Sequence, residues 1–321
     1  MKRYITIDGG TTNTRISLVG DKECLHTVRL NIGARACIDQ RALFESSLKS
    51  AIDDILASFN LSFGDVECIL ASGMITSELG LIELPHLEAP AGIAELHRGM
   101  ARASFEKISP IPFVFIRGVK TATDRLSEFD MMRGEETELM GLIALGFGTK
   151  DCVYVLPGSH SKIISTDNLC RISSFSTMLT GEMIMALSQN TILKDAIDLS
   201  ITDYDADYLE QGYRFAKDEG INKALFKVRI LKNKFKATPK EVISFFIGIA
   251  LSDEIDAILS SSAESIVIGG KDQLKNATAV LLSRLSDKKI STVPAEAVEK
   301  STFIGAINIY EYAEPHLETL K

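Results

Sequence analysis

Two stretches of this 321-residue chain share one layout, and together they constrain the fold more than anything else in it. The first runs from Ile5 to Ile16: an apolar strand ending on Asp8, a turn of Gly9, Gly10, Thr11, Thr12 and Asn13, then a second strand. Apolar and polar residues alternate at Tyr4, Ile5, Thr6, Ile7 and again at Ile16, Ser17, Leu18, Val19, the two-residue period of strands. Glycines at the turn allow backbone angles that other residues avoid, and let the chain approach a ligand closely. Successive N–H groups in such a turn cradle an anion. The second stretch, Val153 to Ile164, repeats the pattern: apolar strand, then Gly158, Ser159, His160, Ser161, Lys162, then apolar strand. Gly10 and Gly158 lie 148 positions apart, close to half the chain.

Two phosphate-type hairpins, one per half, resemble the arrangement of the actin–hexokinase–chaperone ATPase superfamily. That resemblance implies an α/β fold of two ribonuclease-H-like lobes with a nucleotide cleft between them. The expected division is 1–148 plus 303–321 for a substrate-side lobe and 149–302 for a nucleotide-side lobe. The length suffices for two domains with a core each. Apolar residues make up 45% and charged residues 24%, an ordinary globular balance. The net charge of −8 argues against nonspecific nucleic-acid binding, which needs a basic surface. No apolar run approaches a membrane span, and the chain enters a strand at once, without a signal-peptide layout. Cys24, Cys37, Cys68, Cys152 and Cys170 are odd in number and scattered, as are the five histidines. Reduced thiols, no zinc and a cytoplasmic location are the expectation.

Between the hairpins, helical spacing covers 41–59, and an apolar strand at 66–71 runs into Ser72, Gly73, Met74, Ile75, Thr76 and Ser77. A loop at the C-terminal end of such a strand is where open α/β sheets bind ligands. Residues 84–92, with Pro85 and Pro90, read as an irregular excursion, 92–105 as a short helix, and 113–118 as a strand. Arg133-Gly134-Glu135-Glu136 leads into a helix. In the second half, Thr238, Pro239 and Glu241 form a capping-box pattern that starts one helix through Leu259. Gly248 inside it costs roughly 1 kcal/mol against alanine, and suits a close helix crossing. A strand at 265–268 turns through Gly269, Gly270 and Lys271 into a helix, and 301–312 is a final helix.

The motifs resemble the 2-dehydro-3-deoxygalactonokinases. The similarity rests on Ile7 to Asn13, Ser72-Gly73-Met74-Ile75, Ala89-Pro90-Ala91, Met132 to Thr137, Pro157 to Lys162 and Thr180-Gly181-Glu182. The family commonly has Trp at Gly9, Gln at Glu138 and Thr at Ser159. In the Met74 loop it tends to have arginine where Glu78 stands and tryptophan where Leu81 stands. If that arginine meets a substrate carboxylate, binding here shifts to another cation, with Arg133 or Arg98 the candidates.

The resemblance implies an ATP- and magnesium-dependent kinase that phosphorylates a hydroxyl of a 2-keto-3-deoxy sugar acid, namely 2-dehydro-3-deoxy-D-galactonate at its 6-position. Asp8 would organise magnesium, or simply cap its own turn. Gly10 to Asn13 and Gly158 to Lys162 would cradle phosphates, with Gly269 and Gly270 against adenosine. Ser72, Gly73, Met74, Ser77, Arg133 and Thr180 are the substrate candidates. A Gly-Gly-Asp turn ends the first lobe of carbohydrate kinases in this superfamily, and its acid takes the sugar hydroxyl's proton. By that order Glu135 is the base here and Glu136 the alternative. Acids at a helix N-terminus are also favoured there for their charge alone. The rival readings are a kinase for another sugar or sugar acid, and a non-catalytic actin-like nucleotide-binding protein. The expected partner is a small sugar acid, with neither nucleic acid nor membrane, and self-association is left open.

Overall fold

A computed structural model describes residues 2–148, 150–270 and 272–313. It divides into two compact units: Met1–Phe147 with Leu169–Ser174 and Glu296–Lys321, and Gly148–Asn168 with Phe175–Ala295. These boundaries differ from the expected ones at Gly148, at 169–174 and at 296–302. Thr149, Lys271 and the stretch beyond 313 lie outside the described residues.

The first unit opens with β1 (Arg3–Gly9), β2 (Thr14–Gly20) and β3 (Glu23–Leu30), then α1 (Ala36–Asp39), α2 (Arg41–Ser58) and β4 (Ile69–Gly73). It continues through β5 (Leu87–Glu88), α3 (Ile93–Arg98), β6 (Ala101–Phe105), β7 (Ser109–Phe115), β8 (Val119–Lys120), β9 (Met131–Met132) and α4 (Glu135–Ala144). Its main sheet runs β3-β2-β1-β4-β7-β6, with β1, β4 and β7 parallel and β2, β3 and β6 antiparallel to their neighbours. Phe44, Leu48, Ile52 and Ile55 of α2 join Ile5, Ile7, Ile16 and Leu18 of the sheet in one core. The parallel strands are buried on both faces, so only their C-terminal ends are open to chemistry.

Two expectations change here. Residues 101–105 are a strand, not the tail of a helix. α3 stops at Gly99, where a Cβ would lie 2.7 Å from Leu87. Phe105 then packs edge-on against Phe113 and Phe115. The proline-rich excursion contains β5, which pairs with β8 beside β9 in a small second sheet.

The second unit holds β10 (Cys152–Leu156), β11 (Ser161–Thr166), the part of β12 (Ile172–Met178) from Phe175 onward, α5 (Thr180–Asn190), α6 (Ala206–Glu219), α7 (Ile221–Asn233), α8 (Pro239–Ala250), α9 (Ser252–Ser260), β13 (Ser265–Ile268), α10 (Asp272–Leu285) and β14 (Lys289–Thr292). Its sheet runs β12-β11-β10-β13-β14, the same third-second-first-fourth-fifth order that the first unit shows in β3-β2-β1-β4-β7. That order, carried twice, is the ribonuclease-H-like architecture. The capping box at Thr238 forms as expected. The helix it starts does not reach Leu259 unbroken: it ends at Ala250 and α9 begins at Ser252. Ser252 Oγ donates to the Ile249 carbonyl at 2.8 Å there, a local bond that bends helices. Gly248 is a crossing point, since a Cβ on it would lie 2.0 Å from the Leu209 carbonyl oxygen of α6.

The last helix, α11 (Ala295–Glu311), begins six residues before the expected start. It crosses α4 where both helices carry glycine. A Cβ on Gly141 would lie 1.7 Å from Ser301 O, and one on Gly305 would lie 1.9 Å from Thr137 O. Alanine in place of a helical glycine gains roughly 1 kcal/mol of propensity, whereas forcing a methyl into a packed contact costs roughly 1–3 kcal/mol. With backbone as the obstacle, the steric cost wins. Gly305→Ala should therefore lower the urea midpoint of unfolding. A midpoint equal to or above that of the parent chain would contradict this packing.

Candidate functional site

β1 ends on Asp8 and Gly9, and the register of the first hairpin places Asp8 directly opposite Arg15. Arg15 donates to Asp8 Oδ2 at 2.9 Å and to Thr302 Oγ1 of α11 at 3.1 Å. Both side chains keep partial access to solvent. Asp8 is thus held by a cross-strand cation rather than by capping its own turn. The turn itself closes with Gly10 N–H donating to Asn13 O at 2.9 Å. Gly33 packs behind it so closely that a Cβ would meet Gly10 O at 2.6 Å. Ala34 and Arg35 N–H groups take the Gly10 and Thr11 carbonyls at 3.0 and 3.1 Å. With those acceptors turned inward, Thr11, Thr12 and Asn13 are left as exposed polar side chains.

Three backbone segments converge beside Asp8. β1 and β4 pair Gly9 with Gly73 and Asp8 with Ser72. Gly73 has φ +84°, and a Cβ on it would lie 2.6 Å from Gly9 O. Gly134, at φ +105°, would place a Cβ 3.4 Å from Gly73 Cα. Both sit in the left-handed region that strains any other residue. Gly134 is the N-cap of α4, so the first turn of that helix starts against the ends of β1 and β4.

That turn carries Glu135, Glu136 and Glu138, and burial separates them. Glu136 is fully buried, its Oε1 and Oε2 accepting from Gly134 N–H at 3.0 and 2.8 Å, and its Oε1 from Thr137 Oγ1 at 3.0 Å. Burial first, then the neighbouring Glu135 charge, pushes its carboxyl up to about 8. Glu138 is half-buried, and burial together with Glu135 and Asp8 raises it to about 7, against the pull of Arg15. Glu135 stays half-buried. Asp8, Glu135 and Glu138 therefore form one electrostatically linked carboxylate group around Arg15.

Ser72 and Ser77 are buried, and Ser77 Oγ donates to Met74 O at 2.7 Å. Met74 is half-buried. Arg133 donates to Thr76 Oγ1 at 2.9 Å, to Leu84 O at 2.6 Å and to His86 Nδ1 at 3.4 Å. It ties the 74–86 loop to the start of α4. Arg98 pairs with Glu95 at 2.9 Å. Burial and Arg133 lower His86 to about 4, so the ring is neutral. Because Arg133 donates to Nδ1, the ring proton sits on Nε2.

In the second unit, Gly158, Ser159 and His160 are exposed at the β10–β11 turn, while Ser161 and Lys162 are buried. Two glycines shape the turn from outside. A Cβ on Gly181 would lie 2.3 Å from Gly158 O, and one on Gly270 would lie 2.6 Å from Pro157 O. Gly269 N–H continues the β10–β13 pairing by donating to Val155 O at 2.8 Å. His160 Nε2 lies 3.0 Å from Glu182 Oε1, and Lys162 Nζ donates to His160 O at 3.4 Å. Thr180 belongs to this unit, where its Oγ1 donates to Glu254 Oε2 at 2.7 Å. Glu254 is buried under the turn and has its carboxyl raised by burial, with Thr180 and Ser161 pulling the other way.

Sequence reasoning passed over Arg15, Glu138 and Glu254. Arg15 had a readable signal: a four-residue loop after Gly9 puts Asp8 and Arg15 opposite each other. Among the described residues, no group of three or more His, Cys, Asp or Glu side chains is placed to hold a metal ion. The cysteines are free thiols. No described helix is long and apolar enough to cross a membrane.

Twice-repeated ribonuclease-H-like sheets, each with a glycine-shaped turn between its first two strands, define the actin-like ATPase and sugar-kinase class. The family model described as 2-keto-3-deoxy-galactonokinase matches residues 8–302, and the chain belongs to that family. It is a carbohydrate kinase, with ATP and a small sugar acid as its substrates. The 2-dehydro-3-deoxygalactonokinase of Escherichia coli (strain K12) is 26% identical over 273 residues, 83% of this chain and 85% of that one. A Rhizobium meliloti (strain 1021) protein assigned the same activity is 29% identical over 197 residues, 60% of this chain and 59% of its own. A crystal structure from Sinorhizobium meliloti, assigned to the same enzyme, superposes with a TM-score of 0.77 at 21% identity, over 95% of this chain and 97% of that one. The Acidaminococcus fermentans (R)-2-hydroxyglutaryl-CoA dehydratase component A shares the fold at a TM-score of 0.50 and 13% identity, over 97% and 98%.

Glu136 gives the first unit a pH signature. Its folded-state value is raised above the 4.5 of a free glutamate, so folding favours its protonated form. The stability this contributes is complete below about pH 4.5 and is lost as pH rises through about 8. In urea titrations at pH 5 and pH 8.5, the parent chain should lose about 1 kcal/mol or more relative to Glu136→Gln. Parallel pH dependence in the two proteins would contradict the assignment.

Proposed function

We propose that this kinase transfers the γ-phosphoryl group of ATP to the 6-hydroxyl of 2-dehydro-3-deoxy-D-galactonate. The observation that carries the reading is the family match over 8–302 coinciding with the carboxylates gathered at the Gly9–Gly73–Gly134 junction. Such transfer depends on positioning and charge stabilisation more than on covalent chemistry.

Glu135 takes the proton of the acceptor hydroxyl. It is preferred over Glu136 because Glu136 is fully buried and turned back onto the Gly134 N–H, while a base must reach the hydroxyl. Glu138 stands in the same group, its own carboxyl raised by burial and by the Glu135 and Asp8 charges. Arg15 holds Asp8 in place across the hairpin. Gly10, Thr11, Thr12 and Asn13 offer donors to phosphate oxygens in the first unit, and Gly158, Ser159, His160, Ser161 and Lys162 do so in the second. Gly269 and Gly270 present bare backbone to adenosine. Ser72, Gly73, Met74 and Ser77 line the acceptor's path, and Arg133 shapes that wall by holding the 74–86 loop. Thr180 acts from beneath the second turn through Glu254.

Magnesium fits this set as an ion held largely by water and phosphate, since Mg²⁺ keeps several waters and needs one or two carboxylates. Asp8 is the partly exposed carboxylate that would hold it, and when bound the ion would draw charge from the phosphates. The protein would be a cytoplasmic enzyme.

ADP release measured over a panel of sugars, aldonic acids, uronic acids and 2-keto-3-deoxy acids tests the reading. The 2-keto-3-deoxy acid should give the highest kcat/KM. ADP release equal with and without any acceptor, alongside nucleotide-dependent assembly, would favour a non-catalytic actin-like role. Asp8→Asn should reduce turnover at least about a hundredfold, some 2.7 kcal/mol in barrier, in a folded protein. Near-normal turnover of that variant at limiting magnesium would remove Asp8 from the metal site.

A further inference from the structure

Resting on the sugar-acid reading above, we propose that Arg117 is the cation that binds the carboxylate of the substrate. Arg117 follows β7 directly. Ala71 pairs with Phe115, and Ile116 N–H donates to Ala71 O at 2.9 Å, so the β4–β7 pairing runs on past the strand end. That continuation brings Arg117 level with Gly73, in the row that also contains Gly9. It therefore emerges at the C-terminal edge of the same parallel strands that present Asp8. Two strand spacings separate β7 from β1, about 10 Å. Asp8 and Arg117 stand in adjacent rows and so leave the sheet toward opposite faces, and a six-carbon acid laid across the strand ends, with its reacting hydroxyl at one end and its carboxylate at the other, would reach both.

The chemistry of Arg117 points the same way. Its Nε–H is buried and has no acceptor, and among the described residues the side chain makes no hydrogen bond and no ion pair. A half-buried guanidinium in this condition is costly, because water is partly excluded and no anion replaces it. The other cations near this edge are occupied or, like Arg35 beside the first turn, exposed to solvent. Arg15 holds Asp8, Arg133 holds Thr76 and Leu84, Arg98 pairs with Glu95, and Lys120 pairs with Glu88 at 3.0 Å. His86 is neutral and adds no positive charge. A carboxylate is the acceptor whose geometry matches the fork of an arginine, through two parallel N–H···O bonds. Because the unit gathers Asp8, Glu135 and Glu138 at the reacting end, a cation at the far end also orients an anionic substrate. Its carboxylate is repelled from the acids and its hydroxyl is left to face them.

Steady-state kinetics with 2-dehydro-3-deoxy-D-galactonate, with the neutral primary amide of the same acid, and with ATP test the assignment. Arg117→Met should raise KM for the acid about tenfold or more and leave KM for ATP within about twofold, the pattern of a lost substrate-binding contact. It should also erase the preference for the acid over the amide. Arg117→Lys should restore part of that preference, as a point charge without the fork. Because Arg117 has no partner among the described residues, the variants should fold. If Arg117→Met does not, Arg117→Gln carries the same comparison. Unchanged KM for the acid, equal rises for acid and ATP, or a retained preference for the acid would overturn the role of Arg117 while leaving the kinase reading intact. A parent enzyme that phosphorylates no 2-keto-3-deoxy acid would instead overturn the reading itself, and Arg117 with it.

Discussion

The first unit depends on one constraint: three backbone segments meet at glycines, which close approach requires at Gly9 and Gly73 and a positive φ requires at Gly73 and Gly134. Gly9, Gly73 and Gly134 let the ends of β1 and β4 and the start of α4 approach each other directly. Any side chain at Gly73 would strike the Gly9 carbonyl, and would be strained at φ +84° as well. The gain from this contact is chemical. It brings Asp8, from a strand, and Glu135 and Glu138, from a helix, into one electrostatic group that none of these elements could form alone. Like charges so gathered repel. Arg15 across the hairpin, the burial of Glu136 in its protonated form and the raised value of Glu138 each relieve part of that repulsion. The crossing of α11 over α4 through Gly141 and Gly305 then fixes the helix from behind, and Thr302 of α11 reaches the same Arg15.

The second unit solves a related problem with different residues. Its turn also follows the first strand of a ribonuclease-H-like sheet, and again glycines from neighbouring elements press on it. Here no acids stand at the strand end. The exposed residues are Gly158, Ser159 and His160, and a buried carboxyl, Glu254, lies beneath the turn rather than on it. One hairpin is therefore acidic at its base and the other neutral to basic.

Much of this was legible in the sequence, for a physical reason. Strand–turn–strand units write themselves as a period of two broken by glycine, so both hairpins, the loop after β4 and the Arg133–Glu136 entry to α4 could be read directly. The capping box at Thr238 was equally plain, because its two hydrogen bonds are made by residues three positions apart. What could not be read was set by distant contacts. The end of α8 at Ala250 comes from Ser252 bonding back to Ile249, which helical periodicity does not reveal. The strand at 101–105 is decided by Phe113 and Phe115 on its neighbour. Adjacent Glu135 and Glu136 look alike in a sequence, and only the fold turns one inward. The same holds for the arginines: Arg133 looked available, but it is spent on the 74–86 loop, whereas Arg117 drew no notice because a lone arginine after a strand has no local pattern.

The central claim is that the glycine junction places Glu135 to accept the proton of the acceptor hydroxyl. Glu135→Gln preserves shape and removes only the proton-accepting charge. Single-turnover phosphoryl transfer, measured beside equilibrium binding of ATP and of the sugar acid, tests the claim most directly. The account predicts binding within a few-fold of the parent enzyme and transfer slower by roughly 10²–10⁴-fold. Parental transfer rates in Glu135→Gln would contradict it, and would contradict it most sharply if Glu136→Gln were the variant that lost activity.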